Sequence, residues 1–419
     1  MGRSPRAYEG CTRLVNSNRV IIGVMLVLAA PGVFLRLGGI HTGTITDTAI
    51  FGLSIVAAAF LLGWAAEAAE MDITQGLAVA FVALIAVMPE YAVSMAFAWK
   101  AGVDPSFAPY AVANMTGGNR LLIGAAWPML VFLVWWRTGA RALVLERSFS
   151  IEVLTLAAVS VYAFTIPLKG TIDLYDAGVL FLGFVAYMWM IARAPSEEPE
   201  LVGPARLIGA LPRTQRRAVL VVLFLYAAIA ILTSAEPFAE GLIHTGVQFG
   251  INEFILVQWL APLASEAPEF LVAGILAYRG RASVGMGALL SSKVNQWTLL
   301  VGGLPIAYAL SSGGWHGLPL DARQNEEMFL TAAQSVFAVA VVLSLSLSRG
   351  EALALFGLFA VTFVVPSTEV RFGAAIVYLV LTVLLIIKQR AEVPAIWRSA
   401  RETLAATNAA ARERSAVHK

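Results

Sequence analysis

The sequence predicts an all-α polytopic membrane protein of about twelve transmembrane helices, built as two inverted five-helix repeats with one extra helix at each end. Three observations predict it. Hydrophobic residues make up 59% of the 419 and charged residues only 13%, about half the charged share of a soluble domain. Apolar runs of bilayer length recur along the whole chain. Inside one such run in each half stands a proline-glutamate pair, Pro89-Glu90 and Pro268-Glu269.

The apolar runs are 20–37, 47–69, 75–99, 108–136, 149–167, 174–193, 218–246, 252–278, 284–311, 326–347, 351–366 and 372–388. Most approach the roughly 20 residues that a helix needs to cross a bilayer. Loop charge orders them. With the N-terminus inside, the cytoplasmic segments collect Arg137, Arg141, Arg147, the linker arginines Arg206, Arg213, Arg216 and Arg217, then Arg279, Arg281, Arg349 and a basic tail. The opposite side keeps only Arg36, Lys100, Lys169, Arg323 and Arg371. This is the positive-inside asymmetry, and it places both termini in the cytoplasm. A bacterial plasma membrane is the expected location.

The halves match beyond the proline-glutamate pairs. Glu152-Val-Leu-Thr-Leu-Ala-Ala-Val-Ser-Val-Tyr162-Ala163 aligns with Glu327-Met-Phe-Leu-Thr-Ala-Ala-Gln-Ser-Val-Phe337-Ala338. Five spans per repeat is an odd number, so the second copy enters the membrane upside down. The predicted layout is 1–46 for the tail and extra helix, 47–193 for the first repeat, 194–217 for a proline-rich cytoplasmic linker, 218–366 for the second repeat and 367–419 for the last helix and tail.

Composition closes several alternatives. A formal net charge of +2 offers no basic surface for nucleic acid. The one cysteine, Cys11, supports neither a disulfide framework nor a thiolate metal site. His41, His244, His316 and His418 fall in loops or the tail, away from any proton relay at membrane depth. The first apolar run is long and lacks a small-residue cleavage pattern, so no signal peptide is expected. No phosphate-binding loop or hydrolase motif occurs, so neither an enzyme nor a cofactor is expected. The expected partners are lipid and inorganic cations.

An acid inside a membrane span costs roughly 2.5–3.5 kcal/mol even on the lenient insertion scale, and by default marks a functional site. Each proline also frees the carbonyl four residues earlier, Ile85 or Ala264. Acid plus freed carbonyl, present twice, reads as a cation site. A second polar element follows in each half: Ala113-Asn114-Met115-Thr116-Gly117-Gly118-Asn119-Arg120, and Gly287 through Gln296.

These four elements, in this order, resemble the sodium/calcium exchanger superfamily, the cation/calcium antiporters. Its repeats each carry a G-T-S-L-P-E-L helix followed by a G-N-x-x-G-S-N helix. The resemblance covers the five-plus-five core. It implies secondary antiport of cations by alternating access, Na+ or Ca2+ against Na+ or H+, with Glu90 and Glu269 as central ligands. Glu266, Asn114, Asn119, Ser265 and Ser292 are the implied helpers. The departures fall at Ala86 and Val87, at Ser265 and Glu266, and at Ala288, Ser291 and Lys293, the last in place of an asparagine. Lys293 and Arg120 add two cations that either modulate coupling or are structural charges locked to carboxylates. If both share a cavity with Glu90, Glu266 and Glu269, the remaining charge is −1, which fits a sodium/proton-type exchanger in which Lys293 replaces a bound cation. A channel is less expected, since the polar groups form one cluster and not repeated rings.

Among the other polar residues, Glu67 and Glu70 fit a solvated helix end. Glu236 and Glu240 flank Pro237 and fit an outer vestibule. Asn295 and Gln296 fit interhelical hydrogen bonding.

Overall fold

The computed structural model describes residues 5–69, 71–72, 88–191 and 201–417. The helices are α1 Pro5–Gly38, α2 Thr44–Ala69, α3 Met88–Val103, α4 Ala108–Leu121, α5 Trp127–Thr138, α6 Ser150–Ala163, α7 Thr165–Lys169, α8 Leu174–Ile191 and α9 Ala205–Gly209. They continue with α10 Arg213–Phe249, α11 Glu253–Tyr278, α12 Ala282–Asn295, α13 Val301–Ser312, α14 Ala322–Val342, α15 Arg349–Val364, α16 Thr368–Lys388 and α17 Glu392–Val417. Short strands are β1 Ala142–Val144, β2 Thr171–Ile172, β3 Leu318–Pro319 and β4 Ser346–Ser348.

Helix covers most of the predicted spans; residues 343–347 of the span 326–347 form a turn and strand β4 instead, and residues 75–87 of the third span, with Ile85, Ala86 and Val87, lie outside the described residues. So do Glu70, residues 192–193 at the end of the sixth span, residues 194–200 at the head of the predicted linker, and His418. Among the described residues, eight helical stretches are long and apolar enough to cross a membrane, by length and composition. α14 is not among them, because Arg323, Asn325, Glu326 and Glu327 crowd its first turns. The chain is an all-α polytopic membrane protein.

Contacts divide it into two compact units. One comprises Met1–Val93, Glu197–Ile251 and Ala264–Pro268; the other comprises Ser94–Ser196, Asn252–Leu263 and Glu269–Lys419. The division does not follow the predicted repeats, since each unit draws on both. It falls within α3 and α11, the two helices that carry the proline-glutamate pairs.

In the first unit, α1, α2 and α10 pack through small residues. Ala57, Ala58, Ala65 and Ala68 of α2 form a core with Ala227, Ala230 and Ile231 of α10. Within lipid, close backbone approach through such residues replaces the hydrophobic drive that holds soluble cores together. Gly32 requires that closeness: a Cβ there would stand 2.5 Å from Ser234 Oγ and 2.7 Å from Ser54 Oγ, and its N–H donates to Ser54 Oγ at 3.0 Å. Past the end of α2, Asp72 accepts from Arg216 at 2.5 Å, with Arg217 at 3.4 Å and Arg213 at 3.5 Å. Arg216 holds the Asp72 carboxyl below the usual carboxylate range. Glu67 is not simply solvated, as it accepts the Val202 N–H at 3.1 Å. At the other end of this unit Glu236 pairs with Arg36 at 2.6 Å.

In the second unit two strand pairs record how the segments run. β1 pairs antiparallel with β4, Ala142 opposite Ser348, and β2 with β3, Thr171 opposite Pro319. β1 precedes α6 and β2 follows α7, whereas β3 precedes α14 and β4 follows it. α14 therefore runs antiparallel to α6–α7. The matched segments beginning at Glu152 and Glu327 lie on these helices and run in opposite senses. Loops gather accordingly. At the β1–β4 end Arg137 stacks on Tyr278 and Arg349 on Trp135, each at 5.1 Å. At the β2–β3 end Lys169 reaches Asp176 at 2.5 Å, and Arg371 reaches Glu326 at 2.6 Å. The basic residues thus sort to two ends in the groups that the loop-charge count separates.

Candidate cation site

Each predicted ligand sits where its helix can shield it from water. In the first unit Glu90 lies in the first turn of α3 and is 3% exposed, while Ser265 and Glu266 on α11 are 5% and 1% exposed. In the second unit Glu269 is half-buried on the same α11, and its Oε2 is buried without a protein donor. Ser292 of α12 is itself buried, and its Oγ, like Glu269 Oε2, has no hydrogen-bond partner among the described residues. Asn114 of α4 is fully buried; its Nδ2 donates to Ser94 Oγ at 2.6 Å, and its Oδ1 receives no donor. Ser94 was not among the predicted residues. Its sequence signal is its place one helical turn after Glu90, on the same face of α3.

Asn119 differs from Asn114. Its Nδ2 donates to Met115 O at 2.9 Å, which fixes the amide along its own helix. Lys293 Nζ then donates to Asn119 O at 2.8 Å and to Asn119 Oδ1 at 2.5 Å. An ammonium has only donors, so the atom it approaches is the amide oxygen. Trp297, one turn on, places its ring 5.3 Å from the same Nζ. The Asn119 oxygens thus hold a cation that belongs to the chain itself.

Arg120, expected as a second modulating charge, is engaged by another acid. Its Nη1 pairs with Glu327, its Nη2 donates to Thr362 Oγ1 at 2.6 Å, and its guanidinium lies 5.1 Å from the Trp259 ring. Arg371 stands 3.9 Å from the other Glu327 oxygen. Of the two roles open to Arg120 from the sequence, the pair with Glu327 agrees with a charge locked to a carboxylate. Glu327 appears in the sequence reading only as a repeat marker. A buried arginine needs a carboxylate partner, but spacing along the chain does not say which.

Two features escaped sequence reading. π-helical turns Leu122–Ala126 and Gln296–Leu300 follow α4 and α12 directly, starting three residues after Asn119 and Lys293, which are matched positions of the two halves. Such bulges concentrate at functional sites. The downstream prolines were the available signal: Pro128 has no N–H for the Gly124 carbonyl, and Pro305 none for Val301. The second feature is backbone proximity. A Cβ at Gly117 would fall 1.7 Å from the Gln258 carbonyl oxygen, so α4 and α11 touch backbone to backbone between Asn114 and Asn119. Among the described residues no group of three His, Cys, Asp or Glu side chains is placed to hold a metal ion. A cation bound here must use amide, hydroxyl or carbonyl oxygens as well.

Helices bearing buried acids, amides and hydroxyls define a membrane carrier of cations. The family model for sodium/calcium exchanger proteins matches residues 46–193 and 219–368, within two residues of the repeat bounds read from the sequence. The chain belongs to the sodium/calcium exchanger family. A crystal structure of the H+/Ca2+ exchanger CAX is 42% identical, with a TM-score of 0.89 over 93% of this chain and 99% of that one. Native YfkE shares the fold at 16% identity, with a TM-score of 0.60 over 85% of this chain and 100% of that one. The sodium-calcium exchanger NCX_Mj does so at 16% identity, with a TM-score of 0.53 over 78% and 99%. None of the curated proteins compared by sequence matches the chain.

Proposed function

We propose that this protein is a secondary antiporter that exchanges Ca2+ for H+, with Glu90 and Glu269 as the central cation ligands. The observation that carries the reading is the set of buried oxygens without donors, Glu269 Oε2 and Asn114 Oδ1. An undonated buried acceptor is costly unless a cation or proton meets it, and hard cations prefer carboxylate, amide and hydroxyl oxygens. Similarity to a structure described as an H+/Ca2+ exchanger favours this ion pair over sodium/calcium exchange. If Glu90, Glu266 and Glu269 share one cavity with Lys293 while Arg120 stays with Glu327, the formal charge there, three negatives and one positive, is −2, which one calcium ion or two protons would balance. The helpers are Asn114, Ser265 and Ser292, and Asn119 joins them when Lys293 moves.

One observation favours a second reading. Lys293 already occupies the Asn119 oxygens, as it would in a sodium/proton-type exchanger whose lysine replaces a bound cation. Under either reading the protein is a carrier and not an enzyme or a channel, with twelve helices in two inverted repeats and both termini in the cytoplasm of a bacterial cell. The test is ion uptake into proteoliposomes under imposed proton or sodium gradients. Calcium uptake driven by a proton gradient, absent in Glu90→Gln and Glu269→Gln, is the expected result. Sodium uptake without calcium uptake would select the second reading, and wild-type rates in both variants would remove these acids from the site.

A further inference from the structure

We infer that Glu152 is a proton-binding site of the exchanger, separate from the proline-glutamate carboxylates and linked to the cation site through Tyr187 and Ser291. The inference starts from two matched acids with opposite surroundings. Glu327 on α14 is buried and neutralised by Arg120 and Arg371. Glu152, its counterpart on α6, is 6% exposed, and its Oε2 is buried without a donor. Among the described residues no basic side chain forms an ion pair with it. A buried carboxyl without a counter-charge holds a proton in place of one.

The neighbours agree with an exchangeable proton. From α8, which packs against α6, Tyr187 is 2% exposed. Its hydroxyl shares a 2.8 Å hydrogen bond with Ser291 Oγ on α12. Ser291 adjoins Ser292, a proposed helper of the cation site whose buried Oγ has no hydrogen-bond partner among the described residues. On the other side, Glu152 lies in the first turn of α6, five residues past the exposed Arg147. Arg147 lines a cavity of about 420 Å³ at the β1–β4 end, the end of α6 at which Glu152 lies.

The charged groups on the packed elements are otherwise engaged or remote. α12 contributes Lys293, which donates to Asn119. α14 contributes Glu327, at its opposite end and bound to Arg120. α7 contributes Lys169, held by Asp176. α17 contributes Arg398 and Glu402, which line the cavity beside Arg147. In this inference the proton at Glu152 exchanges with water at the β1–β4 end, and a cation arriving near Glu269 favours its departure. This gives the exchanger a proton site that calcium does not ligate.

The inference rests on the proton-antiport reading, so wild type is measured first, in proteoliposomes containing a pH dye. Absence of calcium-driven proton movement overturns that reading and this inference together. Where wild type moves protons, Glu152→Gln is expected to slow proton movement about a hundredfold, the low end of the range for loss of a proton-transferring group, and to flatten the pH dependence. Its equilibrium calcium binding in detergent should stay within about twofold of wild type. An unchanged pH profile in Glu152→Gln overturns the inference and leaves antiport standing. Tyr187→Phe keeps the ring and removes only the hydroxyl, so it covers the case in which Glu152→Gln fails to fold. It is expected to shift the pH midpoint and the protonated-carboxyl band in infrared difference spectra. Identical midpoints and bands in Tyr187→Phe and wild type overturn the inference independently.

Discussion

Lys293 Nζ lies 2.5 Å from Asn119 Oδ1, and these two residues occupy matched positions in the two halves of the chain. The half that keeps the asparagine supplies the oxygen, and the half that lost it supplies a cation to fill that oxygen. Lys293 thus couples the two polar elements directly, where a symmetric pair of asparagines would offer two neutral amides.

Removing that ammonium should change transport more than folding. Lys293→Asn makes the region more negative by one charge and frees Asn119 Oδ1 as a ligand. The expected result is altered charge movement per cycle, read as transport current in proteoliposomes. Lys293→Met should also lose about 1–3 kcal/mol of stability, because Asn119 O and Oδ1 remain buried without their donor. Thermal unfolding in detergent checks this. A wild-type current in Lys293→Asn would make the lysine a purely structural group.

The Arg120–Glu327 pair should behave as a buried ion pair. Arg120→Leu strands Glu327 and is expected to cost about 3 kcal/mol, the low end for a broken buried pair, because Arg371 remains nearby. The double variant Arg120→Leu/Glu327→Leu should recover most of the loss. A double variant no more stable than the single would show that the pair is not what Arg120 contributes.

Gly117→Ala should separate two helices. The added methyl would stand 1.7 Å from the Gln258 carbonyl oxygen, and backbone cannot step aside as a flexible side chain can. A loss of about 1–3 kcal/mol is expected from overpacking, with transport falling further as Asn114 and Asn119 shift on α4. Wild-type melting and uptake in Gly117→Ala would mean that α4 and α11 do not approach this closely.

Asp72 should give stability an acid limb. Arg216 lowers its carboxyl pKa in the folded protein. Its contribution is therefore complete above the unfolded value of about 3.9 and is lost as pH falls through the lower folded value. Asp72→Asn should remove that part of the acid dependence and leave the region above pH 5 flat. Melting temperature against pH for both proteins measures it, and identical acid limbs would contradict the assignment.

Sidedness is testable with single cysteines in a Cys11→Ala background. Ala210 and Ser312 are both exposed, unlike the neighbouring Ala205, which is buried. Ala210→Cys should label only from the cytoplasm and Ser312→Cys only from outside. Labelling of both from one side would break the proposed inverted topology.

The sequence by itself determined the class of fold, the positions of the helices and the family. Those follow from signals local to a stretch of chain: apolar length, loop arginines, and a proline beside a glutamate at membrane depth. It also singled out Glu90 and Glu269 as the proposed ligands, because an acid inside a membrane span is costly. Only the tertiary structure decided who meets whom. Arg120 and Glu327 are 207 residues apart, and Lys293 and Asn119 are 174 apart; in both cases the matched-repeat alignment offered several equally charged alternatives. The same holds for the contrast between Glu152 and Glu327, which are equivalent in the alignment. One is surrounded by guanidinium groups and the other by a phenol. The physical reason is that hydropathy fixes how deep a residue lies, while the partner of a buried charge is fixed by which helix faces come together.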